Sequence, residues 1–122
     1  MEFQTKYRVL KTSWGIAIDL GGILEESNSG NNILIVSEST ITADEKEQII
    51  SGLNSILTTA LTTKKKYKVD INKIWFNYTD FQLDGLYWAS RDWLTKALNI
   101  NVKEPEISYD KSSNKYNFRL NS

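Results

Sequence analysis

Hydrophobic alternation in the first third of the chain predicts strands. Every second residue of Trp14–Leu20 is large and apolar, and the residues between are small or polar, which is the period of a strand with one buried face. Tyr7–Val9 alternates in the same way, Gly21-Gly22 predicts a bend or bulge, and the polar Ser27–Asn32 predicts a turn. The apolar run Ile33–Val36 completes three consecutive antiparallel strands, and we place it at the sheet centre.

The next segment has the signals of a helix. Thr42 followed by Glu45 forms a capping box, and the acidic residues after Thr42 suit the positive end of a helix dipole. One face is apolar and consists of Ile49, Ile50, Leu53, Ile56, Leu57, Ala60 and Leu61. We predict that the basic run Lys64–Lys66 complements the carbonyl groups at the far end of this helix.

The second half of the chain predicts a strand, a helix and a hairpin. Apolar and polar residues alternate from Val69 to Tyr78, and the alternation changes parity once, which a bulge near Asn72-Lys73 would explain. Because a helix precedes this strand, we predict that a crossover connection places it parallel to another strand. A second helix runs from Asp84, its predicted cap, to Leu98. Its buried stripe is predicted to contain Leu86, Ala89, Trp93 and Ala97. Residues 107–120 predict a terminal β-hairpin around Asp110–Lys115.

The element order implies an α+β fold. Three strands, a helix, a strand, a helix and a hairpin give a two-layer sandwich, with the helices on one face of a mixed sheet. A chain of 122 residues with 40% hydrophobic residues suits a single domain over residues 1–122. From Trp14 to Leu98 this order resembles the ribosomal protein S5 domain-2-like fold, including the fourth domain of translation elongation factor G. The resemblance consists of topology and carries no functional motif.

The residue types that are missing exclude much enzymology. The chain has no Cys and no His, which removes Ser-His-Asp triads, Cys-His pairs and ordinary zinc sites. Asp19 with Glu25-Glu26, or Asp80 with Asp84, could in principle hold a hard cation, but their spacing is typical of solvated turns and caps. We therefore expect no enzyme activity, no metal and no cofactor. Without an apolar leader in the first residues, we also expect a cytoplasmic protein and no membrane contact.

Charge is balanced overall but segregated along the chain. Fifteen basic and fifteen acidic residues cancel, yet the stretch from Ser13 to Thr62 holds seven acids and only one base, Lys46. Such acidic residues are typical of a solvated hairpin and helix start, and a local acidic face also suits a basic protein partner rather than nucleic acid. The predicted partner-binding acids are Glu25, Glu26, Glu38, Asp44, Glu45 and Glu47. The alternative is a nucleic-acid or ribosome-associated module that uses Lys64–Lys66 and Lys68 with Tyr67.

Tryptophan is abundant, with four residues in the chain. Most tryptophans are packed in a core, but tryptophan is also enriched among interface hot spots. Trp88 falls one position off the apolar stripe of its helix, and Trp14 opens a strand. We predict that Trp88 and Trp14 are partly exposed and contribute to partner binding.

These features together resemble the small bacterial immunity and antitoxin proteins. The resemblance rests on one small domain, no catalytic residues, an acidic face, abundant aromatic residues and an Ile/Lys/Asn-rich composition. It implies a stoichiometric inhibitor that covers the active site of a cognate toxin, with the acidic residues facing a basic toxin domain.

Overall fold

The structure, a computed structural model, describes residues 1–59 and 64–120. It is a mixed α+β fold in which two helices pack on one side of a four-stranded mixed sheet, with a separate hairpin after them, which confirms the predicted fold class. The elements are β1 (Glu2–Leu10), β2 (Gly15–Glu26), β3 (Ile33–Val36), α1 (Ala43–Leu57), β4 (Tyr67–Phe76), α2 (Gly85–Leu98), β5 (Glu106–Asp110) and β6 (Lys115–Arg119). A short 3₁₀ turn, Tyr78–Asp80, separates β4 from α2. Among the described residues, no helix is long and apolar enough to cross a membrane.

The order of the strands corrects one prediction. The sheet has the order β1-β2-β4-β3, so β3 is an edge strand and does not pair with β2. It lies parallel to β4, with Ile33 opposite Lys68 and Val36 opposite Ile71, which confirms the predicted parallel crossover through α1. Placing Ile33–Val36 at the sheet centre was wrong.

The loop after β2 explains this arrangement. The N–H of Ser27 donates to the carbonyl of Lys66 at 2.8 Å, and the Oδ1 atom of Asn32 accepts from the N–H of Tyr67 at 2.8 Å. The polar loop therefore passes across the start of β4 and is bonded to it on both sides. The chain arrives at the far edge of β4, where β3 begins.

A β-bulge joins the two halves of β4. Gly21 pairs with Lys73 and Gly22 with Ile71, so that Asn72 is the extra residue, as the change of parity predicts. A Cβ atom on Gly22 would stand 2.6 Å from the carbonyl oxygen of Asp70 and 3.0 Å from the indole of Trp93. Glycine at this position lets the bulged strand and Trp93 approach β2.

The first helix begins as predicted and ends earlier. The Thr42 hydroxyl accepts from the N–H of Glu45, and the Glu45 carboxylate accepts from the N–H of Thr42, which completes the capping box. Ile49, Leu53, Ile56 and Leu57 are buried, while the predicted Ala60 and Leu61 lie outside the described residues. Because α1 ends at Leu57, the exposed Lys64–Lys66 follow it by several residues and do not occupy its last turn. The prediction that these lysines complement the helix carbonyls was wrong.

The second helix supplies the largest buried side chain. Trp93 is fully buried with Leu86 and Ala89, and its Nε1 donates to the carbonyl of Phe3 at 3.0 Å. Asp84 stands at the N-cap position, but its carboxylate accepts from the Gln82 amide instead of a helix N–H. Asp84 therefore occupies the predicted N-cap position, but its side chain does not cap the helix.

The terminal hairpin is confirmed and is bonded firmly to the main body. Tyr116 is fully buried, and its hydroxyl accepts from the N–H of Lys11 and donates to the carbonyl of Trp14 at 2.7 Å. The side-chain amide of Gln82 exchanges two hydrogen bonds with the Tyr116 main chain. These contacts fix β5 and β6 next to the β1–β2 turn and the start of α2.

Candidate functional site

The predicted acidic residues lie at two different ends of the sheet. Glu25 and Glu26 end β2, where they stand opposite Lys68 and Tyr67. The exposed Lys64–Lys66 come directly before Tyr67, so both signs of charge meet at this end. The acids proposed for one function and the bases proposed for the other are thus close together, and the described residues of this end form no surface of a single sign.

The other acidic residues gather where α1 begins. β3 and β4 are parallel, so the chain leaves β3 at the end where β4 finishes, and Glu38 and the first turn of α1 lie there. Asp44 and Glu47 are exposed and three residues apart, which makes them neighbours on the helix surface. Glu45 differs from them, because it is only 4% exposed and both its carboxylate oxygens are bonded within the chain.

Two exposed aromatic residues that the sequence reasoning missed lie at the same end. Trp75 is 58% exposed on the sheet face opposite the helices, and Tyr78 is 68% exposed in the turn after β4. The hydroxyl of Tyr78 donates to Glu45 at 2.6 Å, and this hydrogen bond raises the pKa of Tyr78. The ring of Tyr78 also packs edge-on against Phe76 and Phe81, which stack on each other at 4.1 Å. Tyr78 is therefore held in place although it is open to solvent.

We call this end of the sheet the acidic–aromatic end and define it by Glu38, Asp44, Glu47, Trp75 and Tyr78, with Trp75 on the open sheet face and Tyr78 on the helix side. Trp75 and Glu38 line the same groove on the open sheet face. The bond from Tyr78 to Glu45 places the Tyr78 hydroxyl at the first turn of α1. Ordered aromatic rings near carboxylates can bind a partner that offers both apolar and cationic groups.

Trp14 is partly exposed, as predicted, but it packs against the hairpin. Its ring stands edge-on to Tyr116 with the ring centroids 5.0 Å apart, and its Nε1 donates to the Oδ1 atom of Asn114 at 2.8 Å. The Tyr109 hydroxyl bonds to the same Asn114 oxygen. Trp14 therefore joins the β1–β2 turn to the hairpin.

Trp88 is also partly exposed, and the hairpin covers one of its faces. It stacks on Phe118 with 5.3 Å between centroids and 16° between planes, and the Arg91 guanidinium stands 5.4 Å from its ring. Position along α2 predicted its exposure correctly, but the contact with Phe118 could not be derived from the helix alone. The structure does not bring Trp88 together with the predicted acids.

The carboxylates considered as cation sites are bonded to other groups. Asp19 forms an ion pair with Arg8 at 2.8 Å and lies six residues along β2 from Glu25, about 20 Å at the rise of a strand. Asp80 accepts from the N–H of Gly15 at 3.5 Å, whereas Asp84 is bonded to Gln82. Within residues 1–59 and 64–120, no group of three acidic side chains is placed to hold a metal ion.

Comparison with known proteins supports the fold alone. No protein-family model and no curated protein matches the chain. A crystal structure of a protein from Thermus thermophilus is similar, with a TM-score of 0.59 and 19% sequence identity over 85% of this chain. The match covers only 17% of that longer chain. An identity this low shows a shared arrangement of helices and sheet, and none of these comparisons indicates an immunity or antitoxin family.

Proposed function

We propose that this chain is a small stoichiometric binding protein of the immunity or antitoxin kind, which blocks a basic toxin domain by covering it with the acidic–aromatic end. The observation that carries the proposal is that two exposed aromatic residues lie at the end of the sheet where α1 begins: Trp75 shares a groove with Glu38, and Tyr78 is bonded to the first turn of α1, where Asp44 lies. Tryptophan and tyrosine bury a large area at low entropic cost, which suits a hot spot. The carboxylates steer a basic partner and occupy the positions that substrate phosphates would take.

The alternative, a nucleic-acid or ribosome-associated module, has weaker support. Its candidate bases, Lys64–Lys66 and Lys68, adjoin Glu25 and Glu26, and phosphate binding gains from a surface of one sign. Of the exposed aromatic residues that could stack on bases, Tyr78 is bonded to Glu45, and Trp75 lines a groove with Glu38 and Asp19 as well as Lys6 and Lys73. We therefore favour a protein partner.

A growth assay tests the proposal directly. A toxin domain encoded beside the gene for this chain is expressed alone and together with the chain, in equal amounts. We expect the toxin domain alone to arrest growth and coexpression to restore it, with a one-to-one complex on gel filtration. Neighbouring genes that encode no such domain, or growth arrest that coexpression leaves unchanged, would contradict the proposal.

The carboxylates should control the association rate. The triple variant Glu38→Gln, Asp44→Asn, Glu47→Gln keeps side-chain size and places no cation at the start of α1. We expect association with the toxin domain to slow about tenfold or more at low salt and to lose most of its salt dependence. A matched control carries Glu25→Gln, Glu26→Gln and Glu106→Gln, three exposed acids elsewhere. Equal slowing of both variants in stopped-flow measurements would remove the acidic–aromatic end from the mechanism.

Trp75 should be the anchor of the interface. Trp75→Ala is expected to weaken binding of the toxin domain by about 2 kcal/mol or more, as hot-spot truncations do. Because the side chain is 58% exposed, stability should fall by only about 1 kcal/mol. Leu10→Ala is the control, since Leu10 is 73% exposed but lies on the far edge strand. If calorimetry gives the two variants the same affinity as the unmodified chain, Trp75 is not an anchor.

A further inference from the structure

The outer edge of β1 carries unpaired main-chain groups. Met1 and Leu24 exchange two hydrogen bonds at 2.9 and 3.0 Å, so in this antiparallel ladder the odd residues of β1 are those bonded to β2. The N–H and C=O groups of Gln4, Lys6 and Arg8 point the other way. No hydrogen-bond partner for these groups is present in the described part of the chain. An edge of this kind is a template for another strand.

A groove runs along this edge strand. It has a volume of about 610 Å³ and is lined by Lys6–Val9 of β1, by residues of α2 and by the segment Asn101–Pro105. Trp88 and Ile107 contribute apolar surface to it. The opposite edge of the sheet is less suited to pairing, because β3 has only four residues.

We propose that β1 pairs antiparallel with β1 of a second copy of this chain, in the register that places Glu2 of each copy opposite Arg8 of the other. Glu2, Gln4, Lys6 and Arg8 all face the open side of the sheet, where residues directly opposite each other are in contact. The register also sets Gln4 opposite Lys6. Each charged side chain of this face then meets an opposite charge or an amide.

Neighbouring registers are less favourable. In any such pairing, an even-numbered residue of one copy must stand opposite an even-numbered residue of the other, since the even-numbered residues carry the free main-chain groups. The next longer overlap sets Lys6 opposite Lys6 at its centre, and like charges directly opposite each other are destabilising. The register with the next shorter overlap of the two strands sets Glu2 opposite Lys6, but it contains three hydrogen-bonded residue pairs instead of four. Charge and overlap length therefore select the Glu2–Arg8 register.

The other face of the strand supplies an independent observation. In the same register Thr5 faces Thr5 across the symmetry axis, at a position where side chains approach most closely. The Thr5 hydroxyl is buried and has no hydrogen-bond partner among the described residues, which is costly for a buried polar group. The second copy would supply that partner. On either side of it, Phe3 faces Tyr7, which gives two aromatic pairs.

This pairing uses the main-chain edge of β1, which is the edge of the sheet opposite β3. Gln4 and Lys6 of β1 line the same groove as Trp75 and Glu38, so the pairing lies next to the acidic–aromatic end. The inference does not depend on the proposed function.

Sedimentation of the purified chain tests the pairing. Between about 1 µM and 1 mM, the range that distinguishes weak specific association from none, we expect the mass to rise toward twice the 14.0 kDa of one chain. Glu2→Arg should weaken the dimer about tenfold or more, because two arginines then face each other across the interface. Combining it with Arg8→Glu should restore part of the association, since the reversed pair is again complementary, while Arg8→Glu also removes the ion pair of Arg8 with Asp19 of its own chain. Circular dichroism confirms that each variant is folded.

A main-chain test complements the charge reversal. Lys6→Pro removes an N–H that points away from β2, so the hydrogen bonds between β1 and β2 are kept. Proline is tolerated on an edge strand where its nitrogen faces outward. Lys6→Ala removes the same side chain and keeps the N–H. We expect dimerisation to be lost with proline and kept with alanine. A single-chain mass at every concentration, equal effects of the two Lys6 variants, or a double charge reversal no better than Glu2→Arg alone would each overturn the proposal.

Discussion

Trp93→Ala is expected to lower the free energy of unfolding by about 3–5 kcal/mol, the range for removing a large side chain from a packed core. Trp93 is fully buried, stands edge-on to Phe3 at 6.2 Å and closely approaches Gly22. The substitution also leaves the carbonyl of Phe3 without the indole N–H that donates to it. The loss should appear as a lower urea midpoint with an unchanged slope.

Trp88→Ala is the matched control on the same helix. Trp88 is partly exposed, and its main contact is the stacked ring of Phe118, so we expect a loss of about 1–2 kcal/mol. The difference between the two tryptophans then measures burial and not side-chain size. An equal and large loss for both would mean that the contact of α2 with the hairpin is as much a part of the core as its contact with the sheet.

Local patterns predicted the elements well because local interactions determine them. The Thr42–Glu45 capping box and the parity change at Asn72 each depend on a few consecutive residues, and the structure confirms both. The stripe of Leu86, Ala89 and Trp93 likewise required only the helical period. The fold class followed from the order of these elements.

Strand order could not be obtained in the same way. The four residues Ile33–Val36 are apolar throughout, a pattern that suits a central strand, yet Ile35 is 37% exposed on the edge. What places β3 beyond β4 is the bonding of Ser27 to Lys66 and of Asn32 to Tyr67, between residues far apart in sequence. A run of apolar residues gives no information on such bonds.

The candidate site was only partly predictable for a similar reason. Charge along the chain identified the acids, but the turn from β3 into α1 separates Glu38 and Asp44 from Glu25 in space. Trp75 could have been found, because Ile74 and Phe76 face the helices and the residue between them must face outward. Tyr78 continues the same alternation as Ile74 and Phe76, and its exposure arises because β4 ends at Phe76 and a 3₁₀ turn follows.

Gly52→Ala should also be strongly destabilising, although helix propensity alone predicts a gain. Alanine is favoured over glycine by about 1 kcal/mol inside a helix. At this position, however, a Cβ atom would stand 2.3 Å from the carbonyl oxygen of Tyr87 and 3.0 Å from the Cβ of Ser90. The two helices would have to move apart, and overpacking of this kind costs about 1–3 kcal/mol or somewhat more. We therefore expect a net loss of about 1–2 kcal/mol in thermal or urea unfolding.

The neighbouring Ser51→Ala is the control, because Ser51 is exposed on the same helix and should change stability by no more than about 0.5 kcal/mol. The separation of the helices can be followed independently through Arg91, whose guanidinium donates to the Ser55 hydroxyl at 2.7 Å across the helix pair. In Gly52→Ala this bond should weaken, so that a further Ser55→Ala substitution costs less than it does in the unmodified chain. A gain in stability from Gly52→Ala would instead mean that α1 and α2 lie further apart than the contact between Gly52 and Tyr87 requires.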